Sequence, residues 1–320
     1  ETACSHDGSV SRLKRMIDAA YQAGSDAIQF QVWASNNMVT ENHPNKLKMK
    51  KIEINYSDWK KIFQFTKFNY PQMEIIACVY DIEALKLTHK FGANAFKIHS
   101  SDLGNVNLLK QASKLKKRID LSIGGSTLKE IDIATKILRK NNVWLMYGIQ
   151  SFPTDPNKIN LNRIKLYEKK YKKNCGYQDH SPPGLSGILI PAAAIAKEIF
   201  IIEKHITDTR NRNGTDLESA LNPKEFKIFT KSIMETYLSL GKKKIQKLSK
   251  IELNYRTYCK KKIYLKYDLN KNSVLKESDL IIRQPINSKG ISVDEIEKIK
   301  GKQLIKNKKR NELLEVFDLK

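Results

Sequence analysis

Residues 143–181, VWLMYGIQSFPTDPNKINLNRIKLYEKKYKKNCGYQDHS, decide the fold. They read as a buried strand over 143–150, a proline-marked loop over 152–156, an amphipathic helix, and a second strand ending in Asp179-His180. Strand–helix units of this length, repeated, predict a parallel sheet with helices outside it. In a (β/α) barrel the chemistry sits at the C-terminal ends of the strands, which is where Gln150 and His180 fall.

Upstream, a helix is expected over 9–24, with Leu13, Met16, Ile17 and Ala20 on one face and Gly24 as its stop. The alternating run 26–32 then reads as a strand with Gln29 and Gln31 on the same side. Residues 36–56 are polar and lysine-rich without a clear period, which predicts a long loop over the barrel mouth. Helices at 57–68, 82–91, 105–117 and 127–141 alternate with strands at 74–80, 95–100 and 120–124. The fourth helix opens on a Thr127/Glu130 capping box. Downstream of the opening stretch come a helix at 187–198, a strand at 200–207 and a last helix begun by Asn222-Pro223 and reaching about residue 240. Seven strands follow Glu1, so an eight-stranded barrel places its first strand just upstream and the chain is expected to be truncated at its start. From about residue 253 short strands and turns replace the long units, with Ser292/Glu295 capping a short helix. The expected organisation is a barrel over 1–240, a lysine-rich linker over 241–252 and a small second domain over 253–320.

A chain of 320 residues has room for such a core. No apolar run reaches the roughly 18 residues that span a bilayer. No secretory signal opens the sequence, and Cys4, Cys78, Cys175 and Cys259 are scattered, which argues for reduced thiols in a cytoplasmic protein. The formal charge of +24 raises a nucleic-acid reading, but only ten of the 58 basic residues are arginine and no recognition motif accompanies the lysines. A solvated basic surface that steers small anions is the plainer reading.

Lys97 and His99 share a face of the strand AFKIHS. A strand-end lysine is costly to bury unless an anion meets it; a snorkelling lysine is the alternative. Ser100, Ser101 and Ser122 stand at neighbouring strand ends and could donate to phosphate oxygens. His180 could ligate a metal as neutral imidazole or serve the fold alone. Glu203 and His205 share one strand face, and Lys204 points the other way.

Seven motifs in order, SHDGS, AGSDAIQFQ, AFKIHSSDLGN, LSIGGSTLKEI, QSFPTDPNKINLNRI, GYQDHS and IIEKHITDTRNRNGTD, resemble the sialic acid synthase family over essentially the whole chain. That family includes N-acetylneuraminate, legionaminate and pseudaminate synthases and related spore-coat synthases. The stretch DLNKNSVLKESDLIIRQPINSKGIS with IKGKQL looks like the antifreeze-like (SAF) domain that closes these enzymes. The resemblance implies a (β/α)8 TIM barrel followed by that domain. It implies condensation of phosphoenolpyruvate with an open-chain N-acyl-hexosamine to give a nonulosonic acid and phosphate, with Mn²⁺ or Mg²⁺. It also implies a homodimer in which one subunit's antifreeze-like domain caps the other's barrel. By the same resemblance Lys97, Ser100 and Ser122 hold phosphoenolpyruvate and His180 binds the metal. Asp102 orients the attacking water or caps the next helix. Glu203 and His205 belong to the barrel mouth, and Glu1 and Gln31 contact the amino sugar. Gln150 and Phe152 line the pocket, and Arg283 reaches the acyl group. Glu1, Asp102 and Glu203 are thus the expected catalytic carboxylates.

The chain departs from the family in several places. Tyr147 stands where many members have the other metal-binding histidine, and a phenol is a poor ligand at neutral pH. Gln29 replaces a lysine, Ser5 and Asp7 flank His6, and Pro182-Pro183-Gly184 lacks an acidic residue. Arg283-Gln284-Pro285 places the arginine one position off. Tyr147 and Gln29 suggest a rival, a non-enzymatic homologue that binds a sugar or anion.

Overall fold

The computed structural model describes residues 1–287 and 289–320; Ser288, inside the stretch expected to resemble an antifreeze-like domain, lies outside them. The chain divides into two compact units, Glu1–Gly241 and Lys242–Lys320.

In the first unit helix α1 (Val10–Gln22) starts where the Ser9 side chain accepts from the Arg12 N–H. Its stripe Leu13, Met16, Ile17 and Ala20 is buried. Then follow β1 (Ala27–Val32), α2 (Ser35–Met38), α3 (Lys46–Ile52), α4 (Tyr56–Asn69), β2 (Glu74–Val79), α5 (Ile82–Phe91) and β3 (Ala95–Ile98). After these come α6 (Val106–Ser113), β4 (Arg118–Ser122), α7 (Leu128–Ile137), β5 (Val143–Tyr147), α8 (Pro156–Ile159) and α9 (Asn162–Tyr171). The unit ends with β6 (Asn174–Asp179), α10 (Ser186–Ala196), β7 (Ile202–Lys204) and α11 (Pro223–Ser239). The seven strands form one parallel sheet in sequence order.

The sheet is curled, because its two edges meet the same two residues. The Glu1 nitrogen donates to the Lys204 carbonyl and the Glu1 carbonyl accepts from Ile206, while Thr2 N donates to the Gln29 carbonyl within β1. Residues on the outer face of the strands, such as Phe30, Val79, Ile98, Leu121, Leu145 and Tyr177, are buried in the layer beneath the helices. The inner face is different. The register aligns Gln31, Cys78, Lys97 and Asp120 in one row and pairs Gln178 with Glu203. Strands buried on both faces are ordinarily near-continuous apolar runs. Polar residues turned inward are therefore the informative feature.

Close approach of strand ends is set by glycine at β5. A Cβ on Gly148 would stand 2.3 Å from the Gln178 carbonyl oxygen, whereas one on Gly104 meets nothing within 4 Å. Gly148→Ala is expected to cost about 1–3 kcal/mol in urea unfolding, as overpacking does, with Gly104→Ala close to neutral.

Several expectations are corrected. Residues 36–56 are not a plain loop: α2 and α3 lie there, and Ile52 and Ile54 are buried against the unit. The single amphipathic helix expected after the 152–156 loop breaks into α8 and α9 at Asn160, which takes φ +50°. Asparagine tolerates that conformation better than most residues. The strand expected over 200–207 is regular only in β7, Ile206 making one isolated bridge to Leu221. Residues 250–259, expected partly as linker, form helix α12 (Lys250–Cys259), closed at its start by a Ser249/Glu252 capping box.

In the second unit β8 (Lys262–Leu265) and β9 (Leu280–Arg283) pair antiparallel, and α13 (Ile296–Ile299) follows the Ser292/Glu295 cap. The unit has its own core of Ile263, Leu265, Leu275, Leu280, Ile291, Ile299, Leu304 and Leu314. Among the described residues no helix is long and apolar enough to cross a membrane.

Candidate active site

The second-last residue of β3 is Lys97, 1% exposed, and it needs a partner to be charged there. Its Nζ donates to Glu203 Oε1 at 2.6 Å and stands 3.7 Å from Glu1 Oε2. Glu203 comes from β7 and Glu1 from the segment joining the sheet's edges. Gln31 of β1 donates its amide to Glu1 Oε1 at 2.7 Å. From β6, Gln178 donates to Glu203 Oε1 at 3.0 Å and accepts from the Ser122 hydroxyl at 2.8 Å. Gln150 Nε2 is 3.5 Å from that same hydroxyl oxygen. A continuous polar network therefore crosses the inside of the sheet.

Two carboxylates share one ammonium, and their surroundings push them apart. Burial, then the Glu1 charge, raise Glu203 to about 7 against the pull of Lys97. Burial would raise Glu1 too, but Lys97, His205 and a hydrogen bond with Glu203 hold it well below the usual carboxylate range. The pair thus retains a proton near neutral pH, and it titrates as a pair. Lys97 stays protonated, because Glu1 and Glu203 outweigh the cost of its burial.

Beside this network stand two imidazoles. His180, just past β6, and His205 have ring centroids 5.1 Å apart, and Phe152 lies 4.5 Å from the first and 5.7 Å from the second. His205 Nε2 is 3.5 Å from Glu1 Oε2. Burial, then His205, lower His180 to about 3, so it is neutral. Its Nδ1 lies 2.7 Å from the Ile149 carbonyl, an arrangement in which Nδ1 donates and Nε2 keeps its lone pair. The carbonyl fixes the ring's orientation and leaves Nε2 facing away from it as a possible ligand atom. Among the described residues no group of three or more His, Cys, Asp or Glu could enclose a metal. The side chains here that could hold a cation are the two imidazoles of His180 and His205.

The structure thus brings together Glu1, Gln31, Lys97, Ser122, Gln150, His180, Glu203 and His205. Ser100 and Asp102 lie in the turn after β3; Asp102 accepts from the Ser101 hydroxyl and the Asn105 side-chain amide, while the cap of α6 is Asn105 itself, which accepts from the Leu108 N–H. Arg283 is an exposed residue of β9 in the second unit. His6 is buried edge-on to Trp59, and its Nδ1 accepts from the Gly8 N–H.

Tyr147 requires a correction. It has the parity of Val143 and Leu145, so its side chain lies in the layer beneath the helices and its hydroxyl donates to the Ile159 carbonyl. It does not occupy a ligand position in the polar interior; the imidazole beside His180 is His205. The network also holds Gln178 and, through its hydroxyl on Gln31 Oε1, Tyr80, neither of which the sequence singles out. Gln178 was findable, because it is two residues before His180 on the same strand face.

Behind the strand ends lies a second polar group. Lys204 Nζ donates to Asp179 Oδ2 and to the Ser181 carbonyl, both at 2.8 Å, and Asp179 also accepts from Tyr177 and Ser181. At the opposite end of the strands a cavity of about 410 Å³ reaches Glu1 and Glu203 from below, between Arg118, Asp120, Phe226 and Phe229.

Comparison with known proteins places the chain in one family. The sequence model described as the NeuB family matches residues 16–245. The chain is 30% identical over 333 residues to the N,N'-diacetyllegionaminic acid synthase of Campylobacter jejuni, covering 98% of this chain and 97% of that one. It is 26% identical to the N,N'-diacetyllegionaminic acid synthase of Legionella pneumophila, over 96% of this chain and 90% of the relative. Among solved structures, the N-acetylneuraminic acid (sialic acid) synthetase of Leptospira borgpetersenii, in complex with citrate, superposes with a TM-score of 0.72 at 28% identity. That match covers 80% of this chain and 89% of that one.

Proposed function

This chain belongs to the NeuB family, and from that premise we propose that it is a nonulosonic acid synthase condensing phosphoenolpyruvate with an N-acyl-hexosamine. The observation that carries the reading is the convergence of Lys97, two carboxylates of opposed proton affinity and two imidazoles inside one curled sheet.

In the reaction, C3 of phosphoenolpyruvate attacks the aldehyde carbon, and the carbonyl oxygen takes up a proton. We assign to that step the proton held by the Glu1–Glu203 pair. Water then adds to the cationic C2, and the C2–oxygen bond to phosphate breaks, leaving the 2-keto acid and phosphate. Lys97 and the Ser122 hydroxyl supply donors for the anionic partner. One ammonium against two carboxyl groups is too little positive charge for a phosphate and a carboxylate together. That balance supports a divalent cation, Mn²⁺ or Mg²⁺, on His180 and His205, where it would polarise the aldehyde as a Lewis acid. The four free cysteines support a cytoplasmic setting. We read the unit Lys242–Lys320 as the antifreeze-like domain and the assembly as a domain-swapped homodimer.

Phosphate release from phosphoenolpyruvate, with Mn²⁺ and a panel of N-acyl-hexosamines, tests the reading. The expected result is release that needs both the acceptor and the metal, and that falls at least 100-fold in His180→Ala. Calorimetric binding of phosphoenolpyruvate with no turnover on any acceptor would instead favour the binding-protein rival.

A further inference from the structure

Resting on that reading, we propose that Tyr80 is a positioning residue for the acceptor sugar, acting through the amide of Gln31 on Glu1. Tyr80 directly follows β2, and its ring packs 5.2 Å from that of His99. Its hydroxyl donates to Gln31 Oε1 at 3.1 Å, and the Cys4 thiol approaches the same oxygen at 3.7 Å. The other end of that amide donates to Glu1 Oε1 at 2.7 Å.

A primary amide has one accepting end and one donating end, and turning it over exchanges them. Reversed, Gln31 would set its oxygen against the Glu1 carboxylate and its NH₂ against two donors. The Tyr80 hydroxyl therefore selects the orientation in which Gln31 holds Glu1. Burial raises the phenol well above its ordinary value, so it remains a donor at every working pH. Glu1 is then fixed from two sides, by Gln31 on Oε1 and by Lys97 and His205 on Oε2. The chain of contacts touches the residues assigned to the amino sugar and none of those assigned to phosphoenolpyruvate except Lys97, which meets Glu1 on the other oxygen.

The test is Tyr80→Phe, which removes one oxygen and leaves the ring. Loss of a hydrogen bond that orients a charged group predicts a KM for the acceptor raised about tenfold, with the KM for phosphoenolpyruvate unchanged. In a Gln31→Ala background the same change is expected to have no further effect, since the group it acts through is gone. An unchanged acceptor KM, equal rises for both substrates, or additive effects in the Gln31→Ala background would each overturn the inference. If the unsubstituted protein releases no phosphate with any acceptor, the functional reading fails first and the inference falls with it.

Discussion

Replacing Glu203 by Gln is expected to lower kcat for phosphate release by about 10²- to 10⁴-fold, the usual contribution of a positioned acid or base. Glutamine keeps the shape and can still accept from Lys97 and Gln178, the two donors on Oε1, so the fold should survive. What it lacks is the transferable proton. Burial and the neighbouring Glu1 raise Glu203 to about 7, and as an acid it works only while protonated. Activity should therefore be full below that pH and decline as pH rises through about 7. Glu203→Gln should abolish this alkaline limb along with most of the rate. A kcat–pH profile of both proteins checks it: a loss under tenfold, or a limb that persists in the variant, would remove Glu203 from the proton transfer. A limb of opposite slope would make it a base.

The second large effect falls on stability. Asp179→Ala leaves the fully buried Lys204 amine without its ion partner, hydrogen-bonded to the Ser181 carbonyl. Removing one partner of a buried ion pair costs about 3–5 kcal/mol, and the Tyr177 hydroxyl and the Ser181 N–H also lose their acceptor. Urea unfolding of Asp179→Ala should show a loss in that range. The double change Asp179→Leu/Lys204→Met, which removes both charges, should be far milder, because apolar groups of similar volume often replace such pairs at little cost. If the double variant is as unstable as the single one, packing rather than the unpaired charge sets the cost. The pair lies behind the ends of β6 and β7, next in sequence to His180 and His205, so its loss should also be felt in the site.

The parts of the fold legible in the sequence are those fixed locally. The Leu13, Met16, Ile17, Ala20 stripe and the Ser9, Thr127 and Asn222 caps are set by neighbours within a turn. So is the inward parity of Gln31, Lys97 and Glu203, since a strand alternates every residue. Tyr147 shows parity overruling a family comparison: sharing a face with Leu145 sends it under the helices, whatever stands at that position in relatives. Residues 36–56 resisted reading because α2 and α3 are too short to show a period. Their folding depends on burying Ile52 and Ile54 against distant parts of the unit.

The sequence alone determined an alternating α/β chain with a change of character near its end. It also determined that Gln31, Lys97 and Glu203 turn inward. Tertiary structure decided which of them meet. Lys97 and Glu203 are 106 residues apart, and only the curl of the sheet brings both to Glu1. Proton affinities followed from that encounter, because burial and charge separation depend on distances that no local pattern contains.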